Sequence, residues 1–112
     1  MNESVASVYT TQILTAEDLP AVAELEQVTQ IDPWTVEQVL AIAPLLGSGE
    51  YTGTVLRDAQ GVVGYLIARL FLDECEILSV GVVPNAQGKG LGQRLLQAFL
   101  SQLPEQTAQV HL

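Results

Sequence analysis

Residues 76–96 read EILSVGVVPNAQGKGLGQRLL and contain the clearest secondary-structure pattern of the chain. The first half is rich in β-branched residues and stops at Pro84, so it predicts a strand over Glu76–Val83. The second half predicts a helix that starts around Gly90 and closes at Pro104. Its apolar residues recur at the helical period, at Leu91, Leu95, Phe99 and Leu103.

The strand and the helix are joined by the loop Gln87-Gly88-Lys89-Gly90-Leu91-Gly92. Glycines let backbone amides approach a ligand without side chains in the way. The helix N-terminus adds unpaired N–H groups and a partial positive charge. Such a loop suits a phosphate or pyrophosphate. The alternative is that the glycines only make a tight turn.

The distribution of charge favours an anion at this loop. The chain holds 13 acidic and 4 basic residues. No acidic residue lies between Pro84 and Leu103, whereas Lys89 and Arg94 both do. Two familiar phosphate loops fit poorly. A Walker loop needs Ser or Thr directly after its lysine, and the dinucleotide fingerprint is G-x-G-x-x-G, whereas the pattern here is G-x-G-x-G.

The rest of the chain predicts a mixed α/β (α+β) domain in which an antiparallel meander leads into the strand–loop–helix unit. A single domain over residues 1–112 is expected. The first predicted elements are a strand over Val8–Leu14 and a helix from Thr15 to near Thr29. A second helix is capped by Thr35 and Gln38, continues through Ala43 and ends at Pro44 and Gly47–Gly49. Strands then follow over Tyr51–Arg57, Val62–Leu72 and, last in the chain, Ala108–Leu112, with turns at 58–61 and 73–74.

Composition restricts the classes of function. With 48% hydrophobic and 15% charged residues, the chain is globular. A net charge of -9 argues against nucleic acid and favours a basic peptide partner, unless it serves only solubility. The single Cys75 fits a reducing compartment, and the lone His111 predicts no metal site. No signal peptide or membrane span is predicted, so a cytoplasmic location is expected.

The loop, with the strand before it, resembles the pyrophosphate loop of the GNAT N-acetyltransferases, whose pattern is Q/R-x-x-G-x-G/A. Gln93-Arg94-Leu95-Leu96 is similar to the start of that family's next helix. Upstream, residues 16–20 (AEDLP) and 32–35 (DPWT) resemble the N-terminal part of the family's RimI group, which acetylates the N-terminal amine of a ribosomal protein. The resemblance implies a mostly antiparallel sheet with flanking helices.

The resemblance also implies acetyl-CoA as co-substrate and a set of cofactor-binding residues. The backbone of the loop would hold the pyrophosphate, and the pantetheine arm would pair with the preceding strand. The implied residues are Val80, Gly81 and Val82 on the strand, and Gln87, Gly88, Lys89, Gly90, Leu91, Gly92 and Gln93 in the loop. Gly81 either marks a β-bulge that makes room for the arm or is needed for close packing.

Glu76 is the candidate catalytic base by the same resemblance, since some members keep a base that acts through water at this position. The alternative is a solvated carboxylate or an ion-pair partner. Tyr65 and Tyr51 are candidate proton donors, or packing residues. A protein or peptide amine is the implied acceptor, with a basic ribosomal protein N-terminus as one candidate.

Members of the RimI group continue past the position of Leu112, so the chain is expected to be C-terminally shortened and to lack the family's closing strands. Two functions follow from this: an N-acetyltransferase, or an acyl-CoA-binding module without turnover. An uncovered sheet edge also predicts pairing with a second copy, that is, a homodimer.

Overall fold

The computed structural model describes residues 8–104, 107 and 109–111. They form one five-stranded sheet in the order β1-β2-β3-β4-β5, antiparallel except for the last pair. The strands are β1 (Thr10–Ile13), β2 (Tyr51–Asp58), β3 (Gly61–Phe71), β4 (Glu74–Val82) and β5 (Gln109–His111), and the α-helices are α1 (Leu19–Thr29), α2 (Val36–Leu40), α3 (Ala43–Ser48) and α4 (Leu91–Gln102). The predicted mixed fold with a mostly antiparallel sheet is confirmed. Residues 108 and 112 of the predicted last strand lie outside the described residues.

The meander is closed by tight turns whose residues fit their backbone angles. At the β2–β3 hairpin, the Asp58 carboxylate accepts hydrogen bonds from the backbone of Gln60 (2.8 Å) and Gly61 (3.2 Å). Gly61 has a φ of 138°, a conformation that glycine adopts without strain. The β3–β4 turn lies at Leu72 and Asp73, one residue earlier than predicted, so Glu74 already belongs to β4.

Two capping boxes begin the N-terminal helical segments, and the one at Thr35 and Gln38 is predicted from the sequence. The Thr35 hydroxyl accepts from the Gln38 backbone N–H (3.0 Å), and the side-chain Oε1 of Gln38 accepts from the Thr35 backbone N–H (2.8 Å). The equivalent pair Thr15 and Asp18 begins a short 3₁₀ turn that leads into α1. The predicted second helix is in fact two, because Pro44 cannot continue α2 and instead lies in the first turn of α3.

Apolar side chains cover both faces of the sheet. Helices α1 and α2 pack on one face, which we call the α1 side, and helix α4 packs on the other, the α4 side. The main α1-side residues are Leu14, Leu19, Val22, Ala23, Leu25, Val39, Ile42, Val55, Tyr65 and Ile67. On the α4 side, two clusters contain Leu56, Leu91 and Leu95, and Leu66, Ala68, Cys75, Ile77 and Phe99. The sheet is therefore a middle layer with helices on both faces.

Strand β4 carries a bulge at Leu78, not at Gly81. Ile67 pairs with Ser79 and Ala68 with Ile77, which leaves Leu78 without a partner on β3. Gly81 pairs regularly with Tyr65, and a Cβ built there would lie 2.4 Å from the Thr29 hydroxyl. The expected bulge at Gly81 is therefore wrong, and its alternative, close packing against α1, is what the structure shows.

The two halves of β4 have different surroundings. Glu74, Cys75 and Glu76 pair in parallel with Gln109–His111 of β5. Beyond them, from Ile77 to Val82, β3 is the only strand that pairs with β4 among the residues described. This open edge leads directly towards the glycine loop. In the same part of the chain, no helix is both long and apolar enough to cross a bilayer.

Candidate active site

The glycine loop projects into solvent at the end of β4. A 3₁₀ turn over Pro84–Ala86 follows the strand, and Gly88 (φ 81°) and Gly90 (φ 75°) then take left-handed conformations. Gly90 is the N-cap of α4. The side chain of Leu91 is buried against Ala86 and anchors the loop to the core, so only the backbone of Leu91 can face a ligand.

The backbone amides of residues 88–93 form an unpaired cluster. The first amide of α4 with an intrahelical acceptor is that of Arg94, 3.1 Å from the Gly90 carbonyl. Among the described residues, the six amides before it (residues 88–93) donate no hydrogen bond. A Cβ built on Gly88, Gly90 or Gly92 would have no atom within 4 Å. The site thus combines free N–H donors with space, and both suit a phosphate oxygen.

The polar side chains near the loop are used in different ways. Gln87 donates from Nε2 to the Val82 carbonyl (2.9 Å) and so ties the loop to β4. Arg94 donates to the Tyr9 carbonyl (2.8 Å) and serves packing of the N-terminal segment. Lys89 is exposed, with Nζ 3.5 Å from the Tyr9 hydroxyl. Lys89 is therefore the side-chain cation nearest to an anion on the loop.

Glu76, the predicted base, lies on the paired half of β4. Its Oε1 is 2.5 Å from Nη2 of Arg69, and about half of its side chain is exposed. The bulge at Leu78 separates it from Val80–Val82. The structure thus shows the ion-pair alternative, and the role of Glu76 as a base remains a prediction.

A buried carboxyl group on α1 contacts both strands beside the open edge, and sequence reasoning missed it. Glu26 is 1% exposed. It accepts hydrogen bonds from the Tyr65 hydroxyl, the Ser79 hydroxyl (2.8 Å) and the Trp34 N–H (3.0 Å). A signal was present in the sequence, because Glu26 follows Leu19 and Val22 at the spacing of the apolar stripe, where a charged residue is unexpected.

Tyr65 connects this carboxyl to the end of α1. Burial and the hydrogen bond to Glu26 raise the pKa of Tyr65 above its ordinary value. The phenol therefore stays protonated at neutral pH. Its oxygen also lies 3.1 Å from Nε2 of Gln30, which in turn donates to the Val80 carbonyl (2.8 Å). The α1 side of β4 is thus held by a continuous hydrogen-bond network that ends at the open edge.

The chain is similar in sequence and fold to known acetyltransferases. The sequence profile of the Acetyltransferase (GNAT) family matches residues 19–112, and the chain therefore belongs to that family. It is similar to the [ribosomal protein bS18]-alanine N-acetyltransferase of Salmonella typhimurium, with 30% identity over 95 residues. The counterpart in Escherichia coli K12 is 31% identical over 91 residues. These alignments cover 80–84% of this chain but only 58–61% of the relatives' own length.

Solved structures agree with the fold. The ribosomal-protein-S18-alanine N-acetyltransferase of Escherichia coli superposes with a TM-score of 0.70 at 26% identity, over 84% of this chain and 58% of that one. The PaiA N-acetyltransferase of Thermoplasma acidophilum, solved with coenzyme A, superposes with a TM-score of 0.68 at 16% identity, over 82% of this chain and 70% of that one. The second likeness concerns the fold alone.

Proposed function

We propose that the chain is an acetyl-CoA-dependent N-acetyltransferase whose acceptor is a protein N-terminal α-amine. The observation that carries this proposal is the cluster of unpaired amides at residues 88–93, which opens beside the free edge of β4. Membership of the Acetyltransferase (GNAT) family supports acetyl-CoA as the co-substrate. The bS18-alanine N-acetyltransferases support the acceptor.

In this proposal the pyrophosphate of acetyl-CoA lies on the backbone of Gly88–Gln93, with Lys89 at its side. The pantetheine arm pairs with backbone groups of β4 along Val80, Gly81 and Val82. The Val80 and Val82 carbonyls are not among these groups, because they accept hydrogen bonds from Gln30 and Gln87. Bound acetyl-CoA supplies the thioester carbonyl that the acceptor amine attacks. As the C–N bond forms, the C–S bond breaks, and CoA leaves as a thiolate that takes up a proton to become the free thiol. A backbone N–H of β4 near the bulge would polarise the carbonyl.

The acceptor must lose a proton, because only a neutral amine attacks a thioester. An α-amino group has a pKa of about 8, so a base needs to assist only modestly at neutral pH. Glu76 lies on the α1 side of β4 and would serve through a water molecule once its carboxylate is released from Arg69. An acidic chain, with a net charge of -9, also favours a basic peptide over a nucleic acid as the acceptor.

Titration calorimetry with acetyl-CoA tests the carrying observation. We expect the unaltered chain to bind, and Gly90→Glu to abolish binding because a carboxylate would occupy the anion site. Gly92→Ala is the matched control: it lies two residues further on, has open space around it, and alanine fits the motif there. Equal binding by the unaltered chain and Gly90→Glu would contradict the proposal.

A second candidate function is an acyl-CoA-binding module, which the ion pair between Glu76 and Arg69 favours. Thiol release with an alanine-led basic peptide separates the two. Turnover that falls in Glu76→Gln while acetyl-CoA binding persists would support the enzyme and the base together. Binding with no thiol release above the uncatalysed rate would select the module.

A further inference from the structure

Gln30, the residue that ends α1, reaches the open edge of β4 with its side chain. Its Nε2 lies 2.8 Å from the Val80 carbonyl, 3.1 Å from the Tyr65 hydroxyl oxygen and 3.2 Å from the Thr29 hydroxyl oxygen. Its backbone N–H donates to the Glu26 carbonyl (3.1 Å), which fixes the position of the residue at the helix end.

These neighbours determine the positions of the Nε2 and Oε1 atoms in the Gln30 carboxamide. The Val80 carbonyl can only accept a hydrogen bond, and Tyr65 already donates its proton to Glu26. The NH₂ group must therefore face them, and Oε1 must face the other way. No hydrogen bond within residues 8–104, 107 and 109–111 uses Gln30 Oε1. The side chain presents an oriented acceptor that the protein does not itself use.

The network behind Gln30 keeps this acceptor in place. Tyr65 and Glu26 are at most 1% exposed, and Glu26 is held from three directions. A side chain fixed in this way loses little conformational entropy when a ligand binds, which favours a binding role.

Gln30 contacts β4 at the part of the strand where the reacting end of a co-substrate would lie. Val80 is 39% exposed and lies between the bulge at Leu78 and the strand end that leads to the loop. If the pyrophosphate lies on residues 88–93, the reacting end of a co-substrate that runs along β4 comes to this part of the strand. A hydrogen-bond acceptor at this place would contact a substrate that approaches the thioester from the α1 side.

We propose that Gln30 binds the acceptor: its side-chain oxygen accepts a hydrogen bond from an N–H of the incoming primary amine. This inference rests on the proposed function and adds a residue to its acceptor site. The contact places the amine beside Val80 and leaves the nitrogen lone pair to face the thioester.

The test uses two conjugates in which an acetyl unit joins CoA to an alanine-led peptide. Its CH₂ carbon is bonded to the CoA sulfur, and its carbonyl carbon is bonded to the peptide's α-nitrogen. One conjugate keeps the N–H at that nitrogen, and the other carries an N-methyl group. Titration calorimetry of the unaltered chain should show about tenfold weaker binding of the N-methyl conjugate, the size expected for one neutral hydrogen bond. Gln30→Met, which keeps the length of the side chain, should bind both conjugates equally and acetyl-CoA within about twofold of the unaltered chain.

Gln97→Met is the matched control, because Gln97 is exposed on α4 on the other side of the sheet. It should discriminate between the conjugates as the unaltered chain does. Normal acetyl-CoA binding without discrimination between the conjugates would overturn this inference alone, and so would a discrimination that survives in Gln30→Met. If the unaltered chain fails to bind acetyl-CoA, the proposed function fails and this inference fails with it.

Discussion

Glu26 occupies a helical position where the surrounding pattern requires an apolar side chain. A buried carboxyl is tolerated only when hydrogen bonds replace its lost hydration. Here three donors from three different segments do so: Tyr65 from β3, Ser79 from β4 and Trp34 from the α1–α2 connection. The same residue therefore fixes the distance between α1 and the sheet and the path of the chain before α2.

Replacing Glu26 with Leu should destabilise the chain by about 3 kcal/mol or more, because it leaves buried donors without acceptors. The free energy of unfolding from urea titration measures this loss. Glu24→Leu is the control, since Glu24 is exposed on the same helix and its replacement should change stability by less than about 0.5 kcal/mol. Similar values for the two variants would mean that the network contributes little.

Tyr65 gives the stability of the chain a dependence on alkaline pH. The folded state raises the pKa of Tyr65 through burial and its bond to Glu26, so folding holds this proton more tightly than the unfolded chain does. The corresponding stabilisation is complete below the unfolded pKa of about 10 and is lost as the pH rises through the folded pKa. Above pH 10, part of the unfolding free energy should therefore fall steeply with pH.

Tyr65→Phe should flatten this loss, because phenylalanine has no proton to release. At pH 8 it should be less stable than the unaltered chain by about 1–2 kcal/mol, for want of a donor to Glu26. The difference between the two should shrink as the pH approaches 11. Guanidinium titrations at pH 8, 9, 10 and 11 measure it, with Tyr51→Phe as a second phenol deletion. A gap that stays constant over this range would contradict the assignment.

Among the elements, those that depend on local chemistry could be predicted from the sequence. The Thr35–Gln38 capping box and the hairpin at Asp58–Gly61 involve residues at most three apart, and both are confirmed. The bulge at Leu78 could not be predicted, because it depends on how β4 is aligned with β3. The split between α2 and α3 was predicted only in part. Pro44 indicated that the first helix ends, but the sequence pattern did not indicate that a new helix would start there.

The two glycines at the start of α4 should respond in opposite ways to alanine. Gly90 has a φ of 75°, where a Cβ is strained, so Gly90→Ala should cost about 1 kcal/mol of stability. Gly92 lies in the first turn of the helix with open space around it, so Gly92→Ala should be neutral or stabilising by up to about 1 kcal/mol. Thermal unfolding of both variants measures this contrast. A loss in Gly92→Ala as large as that in Gly90→Ala would contradict the described helix start.

At the scale of the whole molecule, the candidate site combines one local and one distant set of residues. The loop and the strand before it are continuous in sequence, so their pattern predicted the anion site. The contact between Gln30 and Val80 joins residues 50 positions apart. No periodicity or motif indicates such a pair, because it depends on the packing of α1 against β4. Sequence reasoning therefore identified the loop and strand of the candidate site, whose role in cofactor binding stays a prediction, and missed the contacts from α1.

If the chain self-associates through the open edge of β4, self-association would compete with the proposed co-substrate binding for one surface. Among the described residues, no second strand pairs with β4 between Ile77 and Val82, so this edge is a template for a second copy of the chain. A second copy would have to displace the side chains of Gln30 and Gln87 from the Val80 and Val82 carbonyls. We therefore expect a homodimer at micromolar concentration in sedimentation velocity. If the pantetheine arm pairs with the same backbone groups, saturating acetyl-CoA should shift the chain towards the monomer.

Gly90→Glu separates the two effects. Since the substitution lies in the loop and leaves the β4 edge unchanged, this variant should dimerise normally, and acetyl-CoA should not dissociate it. A dimer of the unaltered chain that persists with bound acetyl-CoA would instead place the contact at one of the terminal strands, β5 or β1. Ile13 on β1 is 62% exposed. A strictly monomeric, folded chain would show that neither edge recruits a second copy. The mass that sedimentation velocity gives in the presence of acetyl-CoA thus shows whether the backbone groups at the β4 edge remain available to a second copy.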